Sequence, residues 1–186
     1  MSIELSVLIP SIPERLESLA GLVVDLTAQA GGLPVEVLVF LDNKRRTTGA
    51  KLNNMIEAAQ GGYVTVADDD DRVAPTYVRD LLDAIHRNPG VDCIVFDVAL
   101  YIGGKFVKIF RYGVEYGWTE TDDCIYREPG PLMCWKRQVA VRYKFPDQCI
   151  DEDSAWIAAG PWKHEPIWQA RIDTVLYDYL AVPGHP

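Results

Sequence analysis

The feature that most constrains the fold is a regular alternation of strand and helix patterns through the first 90 residues. Apolar runs at 6–10, 35–41 and 63–67 are typical of buried strands. Between the runs, apolar residues recur at helical spacing, and a third helical pattern ends at the turn 88–90. Strands that alternate with helices are joined by crossovers, which give a parallel sheet covered on both faces. This half therefore predicts an α/β domain that binds ligands at the carboxyl ends of its strands.

The second half adds patterns of a different kind. Residues 93–100 and 105–112 predict two strands of a hairpin, whereas the polar, glycine-rich stretch 113–131 predicts a loop. A short helix is predicted within 150–159, and two strand-like stretches within 167–179. No linker, repeat or low-complexity tract interrupts the chain, so we expect a single domain over residues 1–186. Its fold class is α/β, a three-layer α/β/α domain with a mainly parallel central sheet and a small antiparallel extension in the second half.

Composition excludes several classes of protein. Hydrophobic residues make up 48% of the chain and charged residues 24%, as in a packed globular domain. The four cysteines include no C-x-x-C pair, which argues against a zinc site or a disulfide scaffold. No apolar run reaches the ~18 residues of a membrane span, and the N-terminus lacks the features of a signal peptide. We therefore expect a cytoplasmic protein without an integral membrane segment.

Four consecutive aspartates, at 68–71, directly follow the third predicted strand. Adjacent carboxylates repel one another unless a cation or a basic partner offsets their charge. Oxygen ligands in this number suit Mg²⁺ or Mn²⁺, with phosphate oxygens completing the coordination shell. The plainer alternative is a solvated acidic loop that precedes a helix. The position at a strand's carboxyl end favours a cation site.

The formal charge of −9 is concentrated rather than spread over the surface. Eight of the 27 acidic residues lie in the segments 68–71 and 147–153, and the remaining acids nearly balance the 18 basic residues. The acidic balance therefore does not exclude anionic partners, and it strengthens the case for a cation site.

One alternative function follows from the aspartates themselves. Asp69, Asp71 and Val73 fit the D-x-D-x-[T/V] string of phosphatases of the haloacid dehalogenase type. In such an enzyme Asp69 would be the nucleophile, and Asp151 or Asp153 would hold Mg²⁺. The nucleophile strand normally comes first in that fold, whereas two strand–helix units precede it here.

A resemblance to the family 2 glycosyltransferases, which have the nucleotide-sugar-binding GT-A fold, accounts for more of the chain. In Asp68-x-Asp70-Asp71, with Pro75 four residues later, the sequence is similar to the family's D-x-D-D-x-x-x-P register. Further blocks resemble the family in its own order: 6–10 with 14–16, 37–43, 49–53, 59–64, 130–139, 145–147, 151–153 with Trp156, and 175–179.

The resemblance implies an inverting, metal-dependent glycosyltransferase that uses a nucleotide-diphospho-sugar donor and Mn²⁺ or Mg²⁺. Asp70 and Asp68 would form the metal site, with His185 or His164 as a further ligand. Asp42 would approach the nucleotide base. The full set expected at the nucleotide sugar is Pro10, Ser11, Arg15, Asp42, Lys51, Asn53, Asp68 and Asp69.

The acceptor side is expected in the second half of the chain, with residues 1–90 binding the donor and 91–186 the acceptor. Asp153 is the candidate base that deprotonates the acceptor hydroxyl, and Glu152 is the second choice. Trp118, Trp135 and Lys136 are candidate acceptor contacts. The acceptor could be a glycan, a protein, a lipid or a modified nucleic-acid base. A degenerate protein that binds a nucleotide sugar without turnover is the remaining alternative.

Overall fold

A computed structural model, which describes residues 2–182, arranges ten strands in one continuous sheet. The strands are β1 (Leu5–Ser11), β2 (Val35–Leu41), β3 (Tyr63–Val66), β4 (Arg72–Val73), β5 (Cys93–Ile102), β6 (Lys105–Tyr112), β7 (Thr119–Glu120), β8 (Cys124–Arg127), β9 (Cys134–Lys136) and β10 (Gln169–Ala181). The helices are α1 (Leu16–Ala30), α2 (Thr48–Ala58), α3 (Tyr77–Arg87), α4 (Arg137–Ala140) and α5 (Glu152–Ala158), and single 3₁₀ turns lie at Pro13–Arg15 and Pro161–Lys163.

Helices cover both faces of the sheet, as the alternation of patterns predicts. The strand order begins β2-β1-β3, and β1 is parallel to both of its neighbours. The chain therefore crosses to one side of β1 through α1 and returns to the other side through α2. Since both crossovers are right-handed, α1 and α2 lie on opposite faces. α3 packs beside α1, and α5 packs beside α2, which completes the three layers.

The second half extends the sheet with mixed pairing. β9 lies antiparallel between β3 and β5, and β5 forms the predicted hairpin with β6. Gly103 and Gly104 turn this hairpin with φ of 57° and 78°, a conformation that favours glycine. β10 runs parallel to β5 and also pairs with β4. The two longest pairings, β1–β2 and β5–β10, are parallel, as are β1–β3 and β6–β8, and the remaining pairings are antiparallel, which confirms the predicted fold class.

Two expectations for the second half are wrong. The predicted loop over 113–131 contains β7 and β8, whose half-exposed residues do not alternate clearly between apolar and polar. The two stretches predicted within 167–179 are one strand, β10, with irregular register between Ile172 and Tyr177. Asp173 and Thr174 lie in that irregular part and are exposed, so they interrupt the apolar pattern without ending the strand.

The core lies on both sides of the central strands. The largest side chains that are almost fully buried include Leu5, Leu8, Tyr77, Phe96, Trp135 and Tyr177. Within residues 2–182, no helix is both long and apolar enough to cross a membrane.

Candidate active site

The four aspartates form the turn between β3 and β4, at the carboxyl end of β3, and two of them point into the protein. Asp69 is only 2% exposed, and its carboxylate accepts hydrogen bonds from Ser11 Oγ at 2.5 Å and Arg15 Nη1 at 2.8 Å. Because both of its oxygens are held, Asp69 is not placed to act as the nucleophile of the phosphatase alternative.

Asp71 is also buried, and it ties the turn to β10. One carboxylate oxygen accepts the hydroxyl hydrogen of Tyr177 at 2.8 Å, and the other accepts the Leu180 backbone N–H at 2.7 Å. Burial raises the pKa of Asp71 to about 7, although these two hydrogen bonds act in the opposite direction. The Tyr177 hydroxyl oxygen also accepts the backbone N–H of Asp68 at 2.8 Å, so a single hydroxyl joins Asp68 and Asp71, the two ends of the turn.

Asp68 and Asp70 are more open. Asp70 lies 3.2 Å from Arg15, whereas the Asp68 carboxylate has no hydrogen-bond or ion-pair partner among the described residues. Burial raises the pKa of Asp68 well above its usual value, and the charges of Asp71, Asp70, Asp69 and Asp153 raise it further. A bound cation would relieve both effects, so this pair of carboxylates is suited to hold one.

A hydrogen-bonded chain connects the aspartates to Asp42 at the end of β2. Lys51 is almost fully buried, and its Nζ lies 2.7 Å from Asp42 Oδ1 and 3.0 Å from the Ser11 carbonyl oxygen. The hydrogen bond from Lys51, followed by its charge and two backbone N–H groups, lowers the pKa of Asp42. Ser11 in turn contacts Asp69. Lys51 and Ser11 therefore support the site from inside the protein.

Asn53 also has a supporting position. Its side chain donates to the Phe145 carbonyl oxygen at 2.9 Å and accepts the Phe145 N–H at 3.0 Å. Nearby, Gly49 approaches residue 146 so closely that an added Cβ would lie 1.9 Å from the Pro146 carbonyl oxygen. These contacts fix the segment that leads to α5. Pro10 lies beside the site in β1, paired with Phe40.

The second acidic segment faces the first. Asp153, in the first turn of α5, is exposed, and its charge contributes to the raised pKa of Asp68, Tyr112 and Tyr179. Glu152 is half-buried, and burial, followed by the charges of Asp153 and Asp151, raises its pKa. Of the two candidate bases, Asp153 is the one whose charge acts on the aspartate turn.

Only one of the three expected acceptor contacts is available to an acceptor. Trp118 is 66% exposed, between β6 and β8. Trp135 is 2% exposed and packs between Trp156 and Trp162, so the expectation that it contacts an acceptor is wrong. Lys136 pairs with Tyr63 at the amino end of β3, the opposite end from the aspartates, and donates to the Gly90 carbonyl oxygen. It is therefore also misplaced for that role.

The histidine expectations have different outcomes. His164 is exposed and stacks on Tyr143, with ring centroids 6.0 Å apart. His185 lies outside the described residues. Within residues 2–182, no group of three or more His, Cys, Asp or Glu side chains is arranged to hold a metal ion.

Sequence reasoning missed three tyrosines that border the acids. Tyr177 bonds to the aspartate turn, and the pKa values of Tyr112 and Tyr179 are raised first by burial and then by charges that include Asp68 and Asp153. The Tyr177-x-Tyr179 spacing was a usable signal, because alternate residues of a strand share a face.

Comparisons with known proteins identify a family and a fold. A family profile described as Glycosyl transferase family 2 matches residues 23–139. The crystal structure of S. aureus TarS 1–349 aligns with a TM-score of 0.66 at 14% identity, covering 96% of this chain and 60% of that one. The same TarS fragment in complex with UDP-GlcNAc gives 0.61 at 15% identity, covering 98% and 60%. No curated protein sequence matches the chain.

These matches differ in what they establish. At such low identity the TarS structures establish the fold alone, and they confirm the expected GT-A-like arrangement of three layers. The chain spans about 60% of the length of those structures. The profile, in contrast, covers more than half of this chain and includes β2, α2 and the aspartate turn. The chain belongs to glycosyl transferase family 2.

Proposed function

We propose that the protein is an inverting, metal-dependent glycosyltransferase that moves a sugar from a nucleotide-diphospho-sugar to an acceptor hydroxyl. The observation that carries the proposal is that the four aspartates of the turn fall into two pairs with different surroundings. Two carboxylates are held by the protein, whereas Asp68 has no hydrogen-bond or ion-pair partner among the described residues and is acted on by the charge of Asp153. Family membership and the UDP-GlcNAc and UDP complexes of TarS support a uridine nucleotide as the first donor to test.

Residues 1–90 form the donor half in this proposal. Asp42, oriented by Lys51, contacts the nucleotide base or ribose. Arg15, whose side chain is 48% exposed, remains in reach of the donor while its guanidinium bonds to Asp69 and lies near Asp70. Arg15 thus offsets part of the charge of the turn, so an anionic diphosphate meets less repulsion there.

Asp68 and Asp70 would hold the divalent ion. Two carboxylates with donor phosphate oxygens are a normal ligand set for Mg²⁺, and the carboxylate oxygens suit Mn²⁺ as well. When bound, such an ion neutralises the charge that develops on the leaving diphosphate. His185 remains a proposed further ligand.

Residues 91–186 form the acceptor half. Asp153 is exposed and forms no hydrogen bond or ion pair with another side chain among the described residues, so it can accept the proton of an incoming hydroxyl. A base on the acceptor side of the sugar favours direct displacement, which inverts the configuration at the reacting carbon. Glu152 is the second candidate.

Two measurements test this proposal. Isothermal titration with UDP, with and without Mn²⁺, examines the donor half, and absence of UDP binding at any Mn²⁺ concentration would contradict it. Hydrolysis of UDP-GlcNAc then compares the wild type with Asp153→Asn, which should retain UDP binding and lose turnover. Asp151→Asn is the matched control, because Asn tolerates the left-handed conformation of Asp151, with φ of 59°.

The non-catalytic alternative gives a different result. A degenerate protein would bind UDP, and neither the wild type nor Asp153→Asn would hydrolyse or transfer the sugar of any donor tested.

A further inference from the structure

A row of aromatic side chains leads away from the acidic site. The Tyr179 ring lies 6.4 Å from that of Phe110, and Phe110 lies 6.4 Å from Tyr112. The row ends at the guanidinium of Arg127, which is 5.6 Å from the centroids of Phe110 and Tyr112. The exposed ring of Trp118 lies 5.5 Å from the same guanidinium, so Phe110, Tyr112 and Trp118 together form an aromatic enclosure around Arg127. Tyr112 and Arg127 are direct partners in the β6–β8 pairing.

The charge of Arg127 has no carboxylate partner among the described residues, in contrast to most cations around it. Arg111 and Arg171 both bond to Asp97, Arg142 bonds to Glu165, and Lys163 lies near Glu128. The aromatic rings stabilise the Arg127 cation and fix its position. The rings stack on the guanidinium and accept none of the hydrogen bonds that its N–H groups can donate in its plane. These N–H groups therefore remain available to a ligand.

The row of rings also leads back to the aspartate turn, because Tyr179 precedes Leu180, whose backbone N–H bonds to Asp71. Burial raises the pKa of Tyr112 to about 12, Arg127 acts to lower it, and Asp153 and Asp68 act to raise it. Tyr112 therefore lies within the electrostatic reach of the guanidinium on one side and of both carboxylates on the other. A ligand that contacts Arg127 and Trp118 would therefore lie beside the aspartate turn, outside the buried rings of Phe110 and Tyr112.

We propose that Arg127 and Trp118 bind an acceptor that carries an anionic group, a phosphate or a carboxylate, beside its sugar unit. The inference rests on the proposed function and names its acceptor class. The planar guanidinium matches the two oxygens of such a group. The exposed face of Trp118 suits the apolar face of a sugar ring. Closer to the proposed base an anion would meet the carboxylates of Asp68, Asp70 and Asp153, so we expect the charged part of the acceptor at Arg127.

The test uses three probes with one skeleton: glucose 6-phosphate, glucuronate and glucose. Each is titrated into the full chain saturated with UDP and Mn²⁺, so that the donor site is not available to the phosphate. We expect one of the two anionic probes to bind and glucose to bind at least about tenfold more weakly. The anion that binds identifies the acceptor group as phosphate or carboxylate. Binding of glucose as tight as that of both anions, or binding of none of them, would overturn the proposal.

Substitutions then assign the effect to Arg127. Arg127→Gln should weaken binding of the anionic probe about tenfold or more and leave UDP binding unchanged, and Arg127→Lys should recover only part of the affinity. Lys105→Gln removes an equal charge from the distant turn of the β5–β6 hairpin and should change neither affinity. Unchanged binding of the anion to Arg127→Gln would refute the assignment.

The outcome is separable from that of the donor proposal. If UDP does not bind, the donor proposal fails, and the anionic probes are titrated into the metal-free protein instead. The comparison of Arg127→Gln with Lys105→Gln then still reports on the anion site.

Discussion

Tyr177→Phe is the sharpest test of how the fold holds the aspartate turn. Tyr177 is 1% exposed, and its hydroxyl both donates to Asp71 and accepts the backbone N–H of Asp68. The substitution removes one oxygen and leaves the ring in place, so packing is unchanged. It leaves a buried carboxylate without one donor and a backbone N–H without an acceptor.

The expected loss can be estimated from these two groups. An unsatisfied buried polar group costs about 1–3 kcal/mol. Asp68 is partly exposed, so water can replace part of its lost contact, and we expect a total of about 3 kcal/mol. For a chain of 186 residues this corresponds to a fall in Tm of about 6–12 °C. Because the loosened turn carries Asp68 and Asp70, binding of UDP with Mn²⁺ should also weaken.

Tyr77→Phe is the matched control. Tyr77 is as deeply buried, and its hydroxyl bonds at 2.9 Å to Thr65 Oγ1, which also donates to the Leu132 carbonyl oxygen. Its loss leaves no donor unsatisfied, so we expect a cost of about 1 kcal/mol and unchanged UDP binding. Thermal unfolding and isothermal titration of both variants give the comparison. Equal Tm values and equal UDP affinities for the two variants would refute the reasoning.

Two further predictions concern the core and the metal. Trp135→Ala should cost about 3–5 kcal/mol of unfolding free energy in a urea titration, because Trp135 packs in the core between Trp156 and Trp162. A cost below ~1 kcal/mol would place Trp135 at the surface after all. A chelator should shift Tm by less than about 2 °C, because the buried Asp69 and Asp71 have protein partners. Mn²⁺ with UDP at 100 times the dissociation constant should stabilise the fold by about 2.7 kcal/mol. A large fall in Tm with the chelator alone would show instead that the fold depends on a metal.

Much of the fold is predictable from the sequence because the parallel strands and the helices of the first half have simple patterns of apolar residues. Strands such as β1 and β3 are buried on both faces, so their residues are apolar almost throughout, and the helices between them show one apolar face. β8 and β10 are covered only in part, and exposed residues such as Asp173 interrupt their patterns. Predicting these strands requires knowledge of the neighbours with which they pair.

The contacts within the aspartate turn are harder to predict from the sequence than the turn itself. The string of aspartates after a strand indicates a cluster, but a turn has no side-chain periodicity that would tell Asp68 from Asp69. The family resemblance implies that Lys51 contacts the nucleotide sugar, whereas in the structure it is buried against Asp42. The partners that decide such roles come from distant parts of the chain, as with Tyr177 and Asp71, which are 106 residues apart.

The different surroundings of the two pairs of aspartates explain how the fold accommodates four adjacent carboxylates. Asp69 is neutralised by Arg15 and hydrogen-bonded by Ser11, and Asp71 is held by Tyr177 and a backbone N–H. The protein thus offsets the charge of one pair and fixes the backbone between them. The other pair is held less tightly, because Asp70 contacts only Arg15 and the Asp68 carboxylate has no hydrogen-bond or ion-pair partner among the described residues. A cation bound by this pair would relieve the burial and the repulsion that raise the pKa of Asp68.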